Sequence, residues 1–258
     1  MMITNPQVIG LYTLVRREVV RMFRIASQAF LPSIITTLLY FLIFGSVVGQ
    51  RIGPINGHSY TTFIAPGLVM MAVITNAYAN VSTSLFSVRF QRSIEEMLVS
   101  PMHWSLILLG YTLGGMLRGL IVAVFVFIVA CFFTEISLSH LPFTLLIVIL
   151  VSALFSLAGF MNGMLAHTFD DVAIVPTFIL TPLIYLGGVF YSSTMLPPFW
   201  QHLNLFNPIY YMINALRYAM LDNIEINMPL AMSIIITLLL ALIAANCRMM
   251  MKGTGLRE

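Results

Sequence analysis

The 258-residue sequence predicts an all-α fold, a polytopic membrane protein with six transmembrane helices. Three observations predict it. Apolar residues make up 60% of the chain and set a mean hydropathy of +0.98, more apolar surface than a soluble core of this size can enclose. Charged residues are only 8%. Near-continuous apolar runs occupy residues 28–50, 62–88, 106–133, 141–166, 174–191 and 230–247. Most are long enough to cross about 30 Å of hydrocarbon as helices, and the fifth is the shortest. The chain reads as a single transmembrane domain, 1–258, carrying an amphipathic interface helix at 7–26, a charged inner helix at 89–102 and a re-entrant outer segment at 192–229.

The basic residues orient these spans. A cytoplasmic N-terminus places Arg16, Arg17, Arg21, Arg24, Arg89, Arg92, Arg248, Lys252 and Arg257 inside. Only Arg51 and Arg217 then fall outside, with Arg118 inside a span, an asymmetry that fits the positive-inside rule. Both termini and the 89–102 segment are expected in the cytoplasm. Anionic lipid headgroups account for the net charge of +3, so no nucleic-acid partner is expected. The first 24 residues hold four arginines and no long apolar core, so no cleavable signal peptide is expected. Cys131 and Cys247 are expected as free thiols.

Residues 7–26 follow Asn5-Pro6, a plausible cap and first helical position. Val8, Leu11, Tyr12, Val15, Val19, Met22, Phe23 and Ala26 recur at helical spacing as one apolar stripe, with Arg17, Arg21 and Arg24 on another face. The pattern is that of a helix lying in the cytoplasmic interface, either as a simple anchor for the first span or as a contact surface.

In the stretch RFQRSIEEMLVSPM, 89–102, Phe90, Ile94, Met97, Leu98 and Pro101 form a helical stripe, while Arg89, Arg92, Glu95 and Glu96 cover the rest. Pro101 should end the helix near Ser100. On pattern alone a solvated loop and a surface offered to a cytoplasmic protein both fit.

Polar residues inside the spans divide similarly. Asn76, Asn80, Thr83 and Ser87 share one face of the second span, near Thr75, and either hold helices together or line a path. Arg118 must snorkel or pair, and Asp170 and Asp171 are candidate partners. The pairs Gly110/Gly114, Gly115/Gly119 and Gly159/Gly163 are read as close-packing devices. HTFDD, 167–171, lacks the further ligands that a metal site needs, so no metal is expected.

Beyond Ile174 the chain should break at Pro197-Pro198. PFWQHLNLFNPIYYMINALRY is too apolar for an open loop, and a pair of short re-entrant helices fits. Trp200, Tyr210 and Tyr211 suit an outer aromatic belt, or with Arg217 an exit gate.

The lone lysine, Lys252, sits in MMMKGTG and not in a phosphate-binding Walker loop. His58, His103, His140, His167 and His202 fall in loops or at span ends, so no intramembrane enzyme is expected. No internal repeat or buried carboxylate pair points to an ion-gradient secondary transporter. That class, or a membrane scaffold or assembly protein, remains the alternative to a chain driven by a separate ATPase.

The segment TPLIYLGGVFYSSTMLPPFWQHLNLFNPIYYMINALRYAML, 181–221, resembles the hallmark region of ABC-2 type permeases through Pro182, Gly187, Gly188, Leu196, Pro197, Pro198, Trp200, Asn207, Pro208 and Arg217. FIAPGLVMM at 63–71, RSIEEMLVSPM at 92–102 and TFDD at 168–171 are similar to the family as well. The likeness extends over about residues 7–250 and is nearest to small bacterial inner-membrane permeases. It implies a permease subunit of an ATP-driven exporter for an amphipathic or lipid-linked substrate: a drug, glycan or lipo-oligosaccharide. Two copies would pair with each other and with two ABC ATPase subunits, which bind the ATP and magnesium, leaving no cofactor in this chain. The resemblance also makes 89–102 a coupling helix, with Arg89, Arg92, Ile94, Glu95, Glu96, Met97, Leu98 and Pro101 at the ATPase. Arg17, Arg21 and Arg24 belong to the interface helix, and Asn76, Asn80, Arg118, Trp200 and Arg217 are candidates for a path or gate.

Overall fold

The computed structural model describes residues 6–135, 140–222 and 226–253; Asn5 and Arg257 lie outside them, as does the side chain of Leu98. The described residues form helices and no strand beyond one isolated bridge, Ile55 to His58. Six helical stretches are long and apolar enough to span a membrane: Ala26–Gly45, Tyr60–Phe90, Trp104–Phe133, Leu141–Leu165, Phe169–Leu186 and Met228–Lys252.

Helix α1 (Pro6–Arg24) joins α2 (Ala26–Tyr40) through a kink at Ile25. A π-helical turn (Phe41–Val48) and α3 (Gly49–Ile52) finish the first span. Asn56 and Gly57, both at positive φ, then reverse the chain between Ile55 and His58. α4 (Tyr60–Phe90) and α6 (Trp104–Phe133) follow, with the short α5 (Ile94–Val99) between them. At about 1.5 Å per residue each long helix runs roughly 45 Å, more than the hydrocarbon needs. α7 (Leu141–Leu165), α8 (Phe169–Val175), a π-helical turn (Pro176–Leu180) and α9 (Thr181–Leu186) complete spans four and five. α10 (Pro198–Asn204) and α11 (Pro208–Leu221) precede α12 (Met228–Lys252).

α4 is the central helix, packed on α6, α7 and α11. In lipid, apolar burial alone drives little association, so close backbone approach matters. The glycines supply it. A Cβ at Gly163 would lie 3.0 Å from the Ser82 carbonyl oxygen, one at Gly119 would lie 3.1 Å from Ser152 Cβ, and one at Gly67 would lie 2.9 Å from Val189 Cα. The packing role expected of the paired glycines is what they have. Leu14, Ile94 and Met250 share one cluster, so both ends of the described chain lie at the same end of the bundle.

Span five stops earlier than Pro197-Pro198 requires. Gly187, and Gly188 at φ 83°, end it after Leu186, and Pro198 opens α10 as its first residue. α11 is capped by Asn207, whose Oδ1 accepts from the Ile209 amide at 3.0 Å. The Asn207 amide nitrogen donates to the Leu183 carbonyl at 2.7 Å, tying α11 to α9.

Candidate functional site

Functional side chains gather at the two ends of the bundle and on one open face between them. At the first end, α1 lays Leu14, Glu18 and Met22 on the protein, one residue per turn. Gly114 of α6 makes the seat, since a Cβ there would come within 2.9 Å of Glu18 Cβ. Glu18 is 1% exposed. Its carboxylate accepts from Arg21 Nη2 at 2.9 Å and from Ser84 Oγ at 2.8 Å, and Arg17 Nη2 lies 3.5 Å away. Arg21 also donates to Asn80 Oδ1 at 2.8 Å, and Arg17 to the Tyr111 hydroxyl at 2.8 Å. Arg17 Nη1 reaches Met97 Sδ of α5 at 3.7 Å. Glu18 together with Arg17 and Arg21 thus joins α1, α4, α5 and α6.

This corrects two expectations for the interface helix. Arg21 turns into the bundle, Arg17 reaches in to Tyr111 while its side chain stays 42% exposed, and Arg24 is exposed. Val8, Tyr12 and Phe23 of the apolar stripe face outward, because the opposite face docks on the α6 glycines. Glu18 itself escaped the sequence reading. As the first carboxylate in the chain, set among arginines on an amphipathic helix, it carried a readable signal.

The 89–102 segment also differs from a continuous lever. α4 ends at Phe90, Arg92 adopts a left-handed φ of 58°, and α5 starts afresh at Ile94. Ser100 then becomes extended ahead of Pro101, as the proline requires. Arg89 points inward and donates to the Gly163 and Ala166 carbonyls at 2.8 and 3.0 Å, closing the end of α7. Ile94, 5% exposed, sits in one cluster with Leu14 and Leu85 inside the bundle, and Met97 is partly covered there. Gln7 of α1 clasps the far end: its Nε2 donates to the Pro101 carbonyl at 2.5 Å, and its Oε1 accepts from the His103 amide at 2.9 Å. Among the segment's described side chains Gln91, Arg92, Glu95, Glu96, Val99 and Pro101 remain exposed, beside a cluster of Phe86, Phe90 and Phe169. Thr168 and Asp171 form a capping box on α8, with the Asp171 carboxylate accepting from the His167 and Thr168 amides. No cluster able to hold a metal occurs among the described residues.

Arg118 neither snorkels nor meets Asp170 or Asp171. Its Nη2 donates to Asn76 Oδ1 and to the Ala29 carbonyl, both at 3.2 Å. Asn76 in turn donates to Ser33 Oγ at 2.9 Å. Asn76 and Asn80 are buried bridges between helices and do not line a surface. They share a face with Thr83 and Ser87, but it is covered only along part of its length: Arg21, Ser33 and Arg118 meet Asn80 and Asn76, while Thr83 and Ser87 lie further along α4 and stay open. Met71, Thr75, Ala79, Thr83 and Ser87 edge the open side of α4. Thr75, Thr83 and Ser87 bond to carbonyls of their own helix and so satisfy their donors while facing outward. Across a groove, Pro32, Thr36, Thr37 and Tyr40 of α2 line the same face, and the Tyr40 and Tyr185 hydroxyls meet at 2.6 Å.

At the other end, Arg217 is 0% exposed, so it belongs to the interior and to no outer loop. It donates to Asn214 Oδ1 and to the Gly188 carbonyl, both at 2.8 Å, and lies 3.9 Å over the Phe63 ring. It fastens α11 to the glycine turn and to α4. Tyr210 and Tyr211 are buried as well, whereas Trp200, 44% exposed, lies at this surface with Phe199 and Phe206.

A six-span bundle with a charged corner at one end, a locked arginine at the other and a hydroxyl-bearing face between them is a multi-pass membrane protein. Residues 10–221 match the ABC-2 type transporter family. The chain is 46% identical over 250 residues to the inner membrane transport permease YadH of Escherichia coli (strain K12), covering 97% of this chain and 98% of that one. It is 24% identical over 209 residues to nodulation protein J of Rhizobium leguminosarum bv. trifolii, covering 81% and 80% of the two chains. Against nodulation protein J of Rhizobium meliloti (strain 1021) the identity is 22% over 209 residues. The protein belongs to the ABC-2 type transporter family of permeases.

Proposed function

We propose that this chain is the permease subunit of an ATP-driven exporter in a bacterial inner membrane, working as two copies with two separate ATPase subunits. The supporting observation is the open face of α4. Thr75, Thr83 and Ser87 form a polar stripe on a helix otherwise enclosed by protein, next to Thr36 and Tyr40 of α2. Hydroxyls in hydrocarbon are favoured where a second protein surface or water meets them. Two such faces set opposite each other would enclose a path for an amphipathic or lipid-linked substrate such as a drug, glycan or lipo-oligosaccharide.

The ATPase contact keeps the exposed Arg92, Glu95, Glu96 and Pro101, gives up Arg89, Ile94 and Met97, and gains Val99 with the neighbouring Phe90 and Phe169. ATP closure beneath α5 would be passed to α1, α4 and α6 through Met97, Arg17 and Glu18. In this arrangement the α1/α5 end, with both termini, faces the cytoplasm. Co-purification from native membranes tests the reading. Wild type should retain an ATPase subunit and Glu95→Arg/Glu96→Arg should lose it; absence of an ATPase from both samples would favour a scaffold or assembly role.

A further inference from the structure

Two arginines from different helices converge on neighbouring turns of α4. Arg21 of α1 donates through Nη2 to Asn80 Oδ1 at 2.8 Å, and Arg118 of α6 donates through Nη2 to Asn76 Oδ1 at 3.2 Å. Asn76 and Asn80 are one turn apart, so the two anchor points stand about 6 Å from each other along α4. The seat of α1 on α6 sets the arginines level. Leu14 lies on Gly110 and Glu18 on Gly114, and the next turn brings Arg118 opposite Arg21 and Met22. Arg118 also donates to the carbonyl of Ala29, just past the kink at Ile25. The pair therefore occupies the elbow between α1 and α2.

Charge does not balance there. Among the described residues Arg17 and Arg21 share one carboxylate, Glu18, while Arg118 and Arg24 pair with none. Arg21 and Arg118 also repel each other at this range. A guanidinium inside a span without a counter-ion is costly. The open donors are accessible. In both side chains Nη2 is engaged and Nε is enclosed without a partner, whereas Nη1 makes no hydrogen bond and is not enclosed. Arg21 keeps 30% of its side-chain surface exposed, and Arg118 is only part-buried. We propose that this elbow is an oxyanion site, where Nη1 of Arg21 and Nη1 of Arg118 hold one phosphate group between them. Planar guanidiniums with permanent charge suit phosphate oxygens, and the Asn76 and Asn80 carboxamides hold both in place beforehand. The phosphate comes either on a lipid-like molecule from the adjoining leaflet or as the free ion.

The test follows the Tm of delipidated full-length permease in an uncharged detergent at constant ionic strength. Dihexanoyl phosphatidic acid, sodium phosphate and dihexanoylglycerol are titrated in turn. A ligand of the folded state raises Tm with its concentration. Phosphatidic acid should do so saturably, and the glycerol lipid, which lacks phosphate, should not. An equal response to sodium phosphate would assign the site to the free ion, and a response to phosphatidic acid alone would assign it to a lipid. Arg118→Gln should weaken binding at least about tenfold. Its Tm without ligand should hold, because the lost charge had no counter-ion. Arg118→Lys keeps the charge without the planar fork and should bind at an intermediate level. Arg24→Gln removes an exposed charge outside the clamp and should change affinity by no more than about threefold. No saturable response to either phosphate probe, or equal losses in Arg24→Gln and Arg118→Gln, would overturn the assignment. The experiment needs neither an ATPase nor a second copy, so its failure would leave the transporter reading where it stands.

Discussion

Glu18 and Arg21 face each other across one turn of α1, Oε2 to Nη2 at 2.9 Å, with the carboxylate 1% exposed and the arginine 30%. The pair is the node at which α1 meets α4, since both residues also bond to it, through Ser84 and Asn80. Removing one partner of a buried pair leaves the other charge uncompensated. Glu18→Ala should therefore lower stability by about 3 kcal/mol, the low end of the range because Arg21 is partly solvated. Glu18→Gln, which keeps the acceptor for Ser84, should cost less. The Tm of the detergent-solubilised protein ranks the two, and equal values would show that the charge contributes nothing.

Gly114 sets how closely α1 approaches. A methyl there would lie 2.9 Å from Glu18 Cβ, with Leu14 one turn away against Gly110. Gly114→Ala should cost about 1–3 kcal/mol by overpacking, and Gly114→Leu should detach α1. Protease cleavage within 6–24 reads detachment directly, and undiminished protection in Gly114→Leu would contradict the seat.

Neighbouring residues of α5 should fail in different ways. Glu95→Arg/Glu96→Arg alters exposed side chains, so permease stability should stay within about 0.5 kcal/mol while the ATPase is lost. Ile94→Asn puts an amide into the cluster around Leu14 and Leu85 and should cost about 3 kcal/mol in the permease itself. Measuring both Tm and co-purification for each variant separates the cases; matching profiles would mean that Ile94 also faces the ATPase.

Phe63 carries the Arg217 guanidinium on its ring. Phe63→Leu should cost about 2 kcal/mol from the lost desolvated cation–π contact, on top of any packing loss. Arg217→Lys keeps the charge but loses the planar fork between Asn214 and the Gly188 carbonyl, and should be destabilising too. Thermal unfolding decides both, with a shift under 1 °C counting against the lock.

On the open face of α4, Thr83→Leu or Ser87→Leu replaces a hydroxyl bonded only to its own helix. The fold should tolerate either within about 0.5 kcal/mol, while transport falls severalfold if this stripe lines the path. Efflux from cells expressing wild-type and variant permease provides the comparison, and full efflux in both variants would move the path elsewhere.

The spans were legible because hydropathy over twenty residues reports directly on the solvent each helix needs. Which side of a helix is covered was not. Periodicity grouped Asn80 with Thr83 and Ile94 with Met97 and Leu98, but in lipid an apolar face can be bare, and a polar face can be the enclosed one. Asn76, Asn80 and Glu18 are inside because Arg118, Arg21 and the α6 glycines come from distant parts of the chain to meet them. Arg89 looked like a solvated charge for the same reason: the carbonyls it closes belong to Gly163 and Ala166. The turn at Gly187-Gly188 was visible as a motif, whereas its partner Arg217 was misplaced by counting it as loop charge.

The Gln7 clasp has a mechanical consequence. With one amide gripping both the Pro101 carbonyl and the His103 amide, α1 and the turn after α5 form one stiff part. If the motor pushes on α5, that part swings as a unit, and Val8, Tyr12 and Phe23 on its bare side must plough through acyl chains. The work of each stroke would then depend on how viscous and how tightly packed the surrounding leaflet is, making the lipid a brake on the machine.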